Sequence, residues 1–205
     1  MSTLTNTKED LMQQQILQAA KQLFGIYGLA KVTMDDVAKA VGKGRSSLYY
    51  YYKSKDELLD AVLNGELNQV RSAMQEAVNK ADTFEAQIRS FFVTKLKVVR
   101  EKHPFFYALG SGMDADSISS FQKMKVFHHE NTLKWEGTLL TQILNEGIKA
   151  DVLKAMEQSE MDTLIFILLS TMHGLKQEMR LENDVRTIEP VIDQMTGLIL
   201  NGLKK

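Results

Sequence analysis

The residues with the most chemistry to offer lie together between Thr33 and Lys55, in the stretch TMDDVAKAVGKGRSSLYYYYKSK. Tyrosine and serine hydroxyls donate to phosphate oxygens, tyrosine rings pack on sugars and thymine methyls, and arginine reads guanine in a major groove. Charge agrees with that chemistry. Residues 31–55 hold six basic side chains (Lys31, Lys39, Lys43, Arg45, Lys53, Lys55) against two acidic ones (Asp35, Asp36), whereas the whole chain carries −1. Positive charge is concentrated where a phosphate backbone would lie. The chemistry on offer is therefore binding to DNA.

Two short helices must hold these groups. Thr33 followed by Asp36 is a capping box, which starts a helix at Met34. Val37, Ala38 and Val41 give it an apolar stripe. Gly42-Lys43-Gly44 breaks it, since glycine costs little in a left-handed turn. A second helix begins near Arg45. Leu48 and Tyr52 lie four apart on its inner face, Ser46 and Tyr50 point the other way, and Arg45, Tyr49 and Tyr51 stand on the flanks. Four consecutive tyrosines cannot all be core, because successive helix residues point about 100° apart. Tyr52 is the one expected inside. Ser54 with Glu57 is a second capping box and opens the next helix.

Residues 16–59 resemble the DNA-binding domain of TetR-family transcriptional regulators. The resemblance is carried by Ala20, Leu23 and Phe24, by Gly28, and by Thr33, Val37, Ala38 and Gly42. Leu48-Tyr49, Tyr52 and Ser54-Lys55 complete it. Lys43, Gly44 and Ser46 depart from the usual pattern, so no relative's operator sequence carries over. The resemblance implies an all-α protein of about nine helices. Residues 1–55 would form a helix-turn-helix DNA-binding domain, and 56–205 a helical effector-binding and dimerisation domain. It implies a transcriptional regulator, by family tendency a repressor, released from a near-palindromic operator by a small, largely apolar effector. Arg45, Ser46, Tyr49 and Tyr50 would then reach bases or nearby phosphates. Thr33, Lys43, Tyr51 and Lys55 would hold the backbone, Lys55 from the first turn of its helix beside free N–H groups.

The rest of the chain is read from its periodicity. Hydrophobic content is 44% and charged content 25%, ordinary for a soluble globular protein. Absence of cysteine excludes disulfides, thiolate zinc sites and a cysteine nucleophile, and suits the cytoplasm. The longest apolar run, Leu164 to Leu169, is far below a membrane span. The polar MSTLTNTKED start is unlike a signal peptide. Residues 1–7 are expected to fray. Helices are expected over 8–27 (buried stripe Ile16, Ala20, Leu23, Phe24, Tyr27), 54–80 and 84–102, the last capped by Asp82 with Glu85. His103-Pro104 is expected to stop that helix and leave Phe105–Tyr107 as a short aromatic one. Further helices are expected over 116–146 with Gly147 at the C-cap, over 160–181, and from 187 with Pro190 in its first turn. One helical turn is the most that 151–158 would hold.

The region after residue 84 is rich in aromatics and methionine, residues that line adaptable apolar pockets. Candidate effector contacts are Phe92, Tyr107, Phe121, Met124, His128, Trp135, Met172 and His173, each of which has plain core as its alternative reading. His128 and His129 point to different sides of a helix and do not share an ion, so no metal or other cofactor is expected. Gly42-Lys43-Gly44 is not a P-loop, and neither a Gly-x-Ser-x-Gly elbow nor a His-Glu-x-x-His motif occurs, so no enzyme is expected. Leu164–Leu169 is apolar nearly all round and should be buried on both sides. With the helix from 187 it would sit central in a monomer, or pair with its copy in a homodimer. The dimer is favoured, because a reader this small needs two copies to specify a long site. A ligand- or partner-binding bundle that no longer uses its reader is the alternative function.

Overall fold

The computed structural model describes residues 2–181 and 188–203. Among them are eight α-helices: α1 (Ser2–Tyr27), α2 (Met34–Ala40), α3 (Arg45–Tyr51), α4 (Lys55–Asn79), α5 (Phe84–Leu109), α6 (Ala115–Lys149), α7 (Gln158–Leu181) and α8 (Ile188–Leu203). They form two compact units. Unit 1 is residues 1–68 with 102–128, and unit 2 is 69–101 with 129–205. The chain passes from one unit to the other within α4, α5 and α6. The division expected at residue 55 does not coincide with these units.

The core of unit 1 explains why. Three short helices bury little apolar surface on their own. Ile16, Ala20 and Phe24 of α1, Val37 and Ala38 of α2, Leu48 of α3 and the following Tyr52 share one cluster. Leu58, Leu59, Val62 and Leu63 of α4, Leu109 of α5 and Phe121 of α6 also belong to it. Tyr27, expected in the stripe, is instead 56% exposed, because its place is taken by Leu29 and Val32 from the loop that follows. That loop turns at Gly28 (φ +79), where an added Cβ would stand 2.9 Å from the Ser111 carbonyl. Only glycine meets both demands, a left-handed backbone and a close approach.

Phe105, Phe106 and Leu109 also pack in unit 1, and they correct the expectation at Pro104. Instead of stopping, α5 runs through the proline to Leu109. Burial of these three side chains offsets the hydrogen bond that proline removes.

A charge lies inside this unit. Glu66 follows Leu59, Val62 and Leu63 on the apolar face of α4 and is only 3% exposed. Lys21 of α1 and Lys102 of α5 each bring an ammonium to 2.6 Å from one of its carboxylate oxygens. Burial alone would raise the Glu66 pKa, but the two lysines outweigh it and hold the carboxyl below its ordinary value.

Unit 2 packs Met74 and Val78 of α4 with Ile88, Phe91 and Phe92 of α5. Leu140, Ile143 and Leu144 of α6, Leu168 and Met172 of α7 and Ile192 of α8 complete it. Several expected boundaries move. Thr83, not Asp82, caps α5, its hydroxyl accepting from the Ala86 N–H. Gly147 is not a C-cap but lies within α6, where a Cβ would meet Phe84 at 2.8 Å and Leu153 at 2.9 Å. Residues 151–157, for which one helical turn is the most expected, form none before α7 starts at Gln158. The apolar run of α7 is only half covered. Ile165 and Leu168 are buried, while Phe166 is 70% and Ile167 53% exposed. Thr187 lies outside the described residues, but Pro190 does stand in the first turn of α8.

Glu66→Gln should lower stability near neutral pH by on the order of 2 kcal/mol, because it leaves two ammonium groups facing a neutral amide. The folded pKa is depressed, so the contribution is present above the ordinary value of 4.5 and is lost as pH falls through the lower folded value. Denaturant midpoints of the two proteins should therefore differ at neutral pH and converge in acid.

Candidate nucleic-acid interface

The capping box that starts α2 is complete. Thr33 Oγ1 accepts from the Asp36 N–H at 3.2 Å, and the Asp36 carboxylate accepts from the Thr33 N–H at 2.9 Å. Hydrogen bonding to Thr33 lowers the Asp36 pKa, which keeps the cap charged. At its other end α2 closes on Gly42 (φ +65), with the Gly42 N–H donating to the Lys39 carbonyl and the Lys43 N–H to Ala38. This is the Schellman closure, and it needs the left-handed residue that glycine supplies. Gly44, extended at φ −77, then caps α3 without a side-chain bond.

Once this turn places α3, the helix divides as its spacing demands. Leu48 and Tyr52 are buried. Lys43, Arg45, Ser46 and Tyr50 are exposed, and Tyr49 and Tyr51 are half-buried. Arg45 is held rather than loose. Its guanidinium lies 5.3 Å from the Tyr49 ring centroid, donates to the Tyr49 hydroxyl at 3.4 Å, and has Nε 3.4 Å from the Asp35 carboxylate. The Tyr49 hydrogen bond first, and Asp35 second, raise the Arg45 pKa. Tyr50 stacks edge-on to Tyr51 and donates its hydroxyl to Glu9 of α1 at 3.1 Å, which raises its own pKa. These sites present donors in fixed directions, as base-edge and phosphate recognition require.

Two sequence expectations take a different form here. Lys55 sits in the first turn of α4, but its ammonium donates to the Leu29 carbonyl at 3.0 Å and to Val32 at 3.2 Å. It ties down the loop after α1 and is half-buried. The second capping box is split. The Glu57 N–H donates to Ser54 Oγ, yet the Glu57 carboxylate accepts from the Lys53 N–H. Glu9 and Asp35 escaped the sequence reading because their contacts cross between helices and leave no local spacing.

The eight candidate effector residues do not gather in one unit. Phe92 and Met172 are buried in unit 2, with Trp135 half-buried and His173 exposed there. Phe121 and Met124 pack in unit 1, Tyr107 is 76% exposed, and His128 is buried with Nε2 2.9 Å from Asp60. Among the described residues no group of three or more His, Cys, Asp or Glu could hold a metal ion, and no helix is long and apolar enough to cross a membrane.

An all-helical chain whose capped two-helix turn presents Arg, Ser and Tyr donors is a helix-turn-helix DNA-binding regulator. The family described as "Bacterial regulatory proteins, tetR family" matches residues 16–62 of the chain. The HTH-type transcriptional repressor KstR2 of Mycobacterium tuberculosis is 22% identical over 135 residues, 66% of each chain. The HTH-type transcriptional regulator EthR of the same organism is 39% identical over 69 residues, 33% of this chain and 32% of its own. The fatty acid degradation regulator FadR from Bacillus halodurans shares the fold at TM-score 0.63 and 17% identity, over 93% of this chain and 95% of that one.

Arg45→Ala should cost about 1–3 kcal/mol of discrimination at one base position. Lys43→Ala should instead weaken binding to all sequences alike and lower the salt-dependence slope by about 1. Titrations of matched and scrambled duplexes at two salt concentrations separate the two roles.

Proposed function

We propose that the chain is a homodimeric, ligand-released transcriptional repressor. The observation that carries this reading is the single face of α3 on which Arg45, Ser46 and Tyr50 are exposed together, with Tyr49 beneath Arg45. Two copies would lay this helix in successive major grooves, about 34 Å apart, of a near-palindromic operator. Arg45, Ser46, Tyr49 and Tyr50 would reach bases or nearby phosphates, with Thr33, Lys43 and Tyr51 on the backbone. Lys55 would have at most one ammonium proton left for a phosphate, since an ammonium has three donors. The name of KstR2 supports repression.

The dimer would form through α7 and α8. Support for it is the apolar surface that neither helix covers within the chain: Phe166 and Ile167 on α7 and Leu198 (74% exposed) on α8. Large apolar side chains left exposed in this way are what an interface covers. A shallow groove lined by Thr163, Leu164 and Ile167 adjoins it on α7.

The effector would be a small molecule held among the helices of unit 2. α4 has residues in both units, so a shift of its second half on ligand binding is the simplest route to the reader. Division of labour would then follow the expected boundary, with 1–55 reading DNA and 56–205 receiving effector and partner. No catalytic role is proposed.

Selection from a random duplex pool at about 0.15 M salt, where non-specific binding is suppressed, should enrich a two-fold symmetric site. Phe166→Glu should give a monomer on sedimentation and lose most affinity for that site while keeping its helix content. An enriched site without symmetry, or a Phe166→Glu protein that remains dimeric, counts against the assembly described.

A further inference from the structure

Among the described residues, unit 2 carries a half-buried cation without an ion pair. Arg71 of α4 is half-buried, and its Nε is shut off from solvent with no hydrogen-bond acceptor. Among the described residues its polar contact is a long one, 3.5 Å, from a terminal nitrogen to the Asn131 carbonyl. The guanidinium stands 5.9 Å from the centroid of the Trp135 ring. Among the described residues it forms no ion pair. A guanidinium nitrogen withdrawn from water without an acceptor is costly.

The surroundings of His129 on α6 bear on the sign of charge that this part of unit 2 could receive. Lys95 of α5, buried, is paired with the buried Glu136, so that charge is already neutralised. His129 of α6 and His173 of α7 have ring centroids 5.7 Å apart. Two imidazoles at that spacing could hold a metal ion. The surrounding charges argue against it. Partial burial first, then Lys176, His173 and Lys95, lower the His129 pKa, and only Glu130 pulls the other way. Burial and the nearby Lys176 ammonium, which resist a proton on His129, also resist a metal cation, and the ammonium favours an anion.

We propose that this part of unit 2 receives the acidic head group of the effector, a monoanionic carboxylate on an otherwise apolar body, paired with Arg71 and lying against Trp135. The proposal rests on the effector reading above and gives it a chemical class. One negative charge matches the half-buried Arg71 guanidinium, which has no ion pair among the described residues; a dianion would exceed it. A planar carboxylate also suits the guanidinium fork, which keeps donors beyond the one spent on Asn131. The effector is therefore amphiphilic, not merely apolar.

Trp135 is the sole tryptophan, so its fluorescence reports on this place alone. Octanoate, octanol and octylammonium share one chain and differ only in the head group. Titrated into the full-length protein, octanoate should give a saturable change, with octanol at least about ten-fold weaker and octylammonium weaker still. Arg71→Gln should bring octanoate to the level of octanol, and Arg71→Lys should keep part of the preference. Thermal melts of both variants establish that they fold. Equal binding of octanoate and octanol to the wild type overturns the proposal but leaves a ligand site in unit 2, as does an octanoate preference that survives Arg71→Gln. No saturable change with any of the three overturns the acidic head group. The effector reading itself is scored separately, by whether any small molecule releases the protein from its selected operator.

Discussion

A single buried carboxylate holds unit 1 in register. Glu66 has no water to solvate it and must be met by Lys21 and Lys102, which come from helices far from it in the chain. Apolar packing is tolerant of small slides between helices, whereas two short ion pairs on one carboxylate are not. The clamp joins α1, α4 and α5, and α1 is the helix against which the DNA-reading pair is packed. The orientation of Arg45 and Tyr50 thus depends on a charge that never approaches DNA. The reader is not a self-standing triplet of helices; it is the exposed end of a core that needs Leu58, Leu59 and Leu109 as much as Leu48.

What was legible in the sequence was what local spacing encodes. The Thr33–Asp36 cap, the Gly42 closure and the inward Leu48–Tyr52 pair each follow from residues within five positions of one another. Departures arise where distant packing decides. Pro104 reads as a stop, yet the burial of Phe105, Phe106 and Leu109 carries α5 past it. Gly147 reads as a cap, yet it is small because Phe84 and Leu153 press on it. Lys55 reads as a phosphate ligand from its place in a helix, yet two loop carbonyls some two dozen residues earlier claim it. Aromatic content alone could not sort the candidate effector residues, because core and pocket draw on the same side chains.

One signal was available and informative. Glu66, Lys95 and Glu136 each occupy a position where the 3.6-residue stripe calls for an apolar side chain. All three prove to be buried charges with partners on another helix. Arg71, on the flank of its stripe, is the case in which the partner is missing. Reading a helix for charges that fall in its apolar register thus finds the interhelical ion pairs, and an unmatched one points to chemistry supplied from outside.

The Tyr50–Glu9 hydrogen bond bears on how readily such a reader can be re-engineered. The Tyr50 hydroxyl, which would face the groove in the function proposed, is oriented by a carboxylate from α1, and that carboxylate would bring a negative charge close to the phosphates. Base choice at this position would therefore be a property of two helices rather than one. A recognition helix transplanted onto another scaffold would lose its α1 neighbour and, with it, the direction in which the phenol points. Specificity built this way would not be modular, and exchanging helices between relatives would carry over only the arrangement that Arg45, Tyr49 and Asp35 hold among themselves.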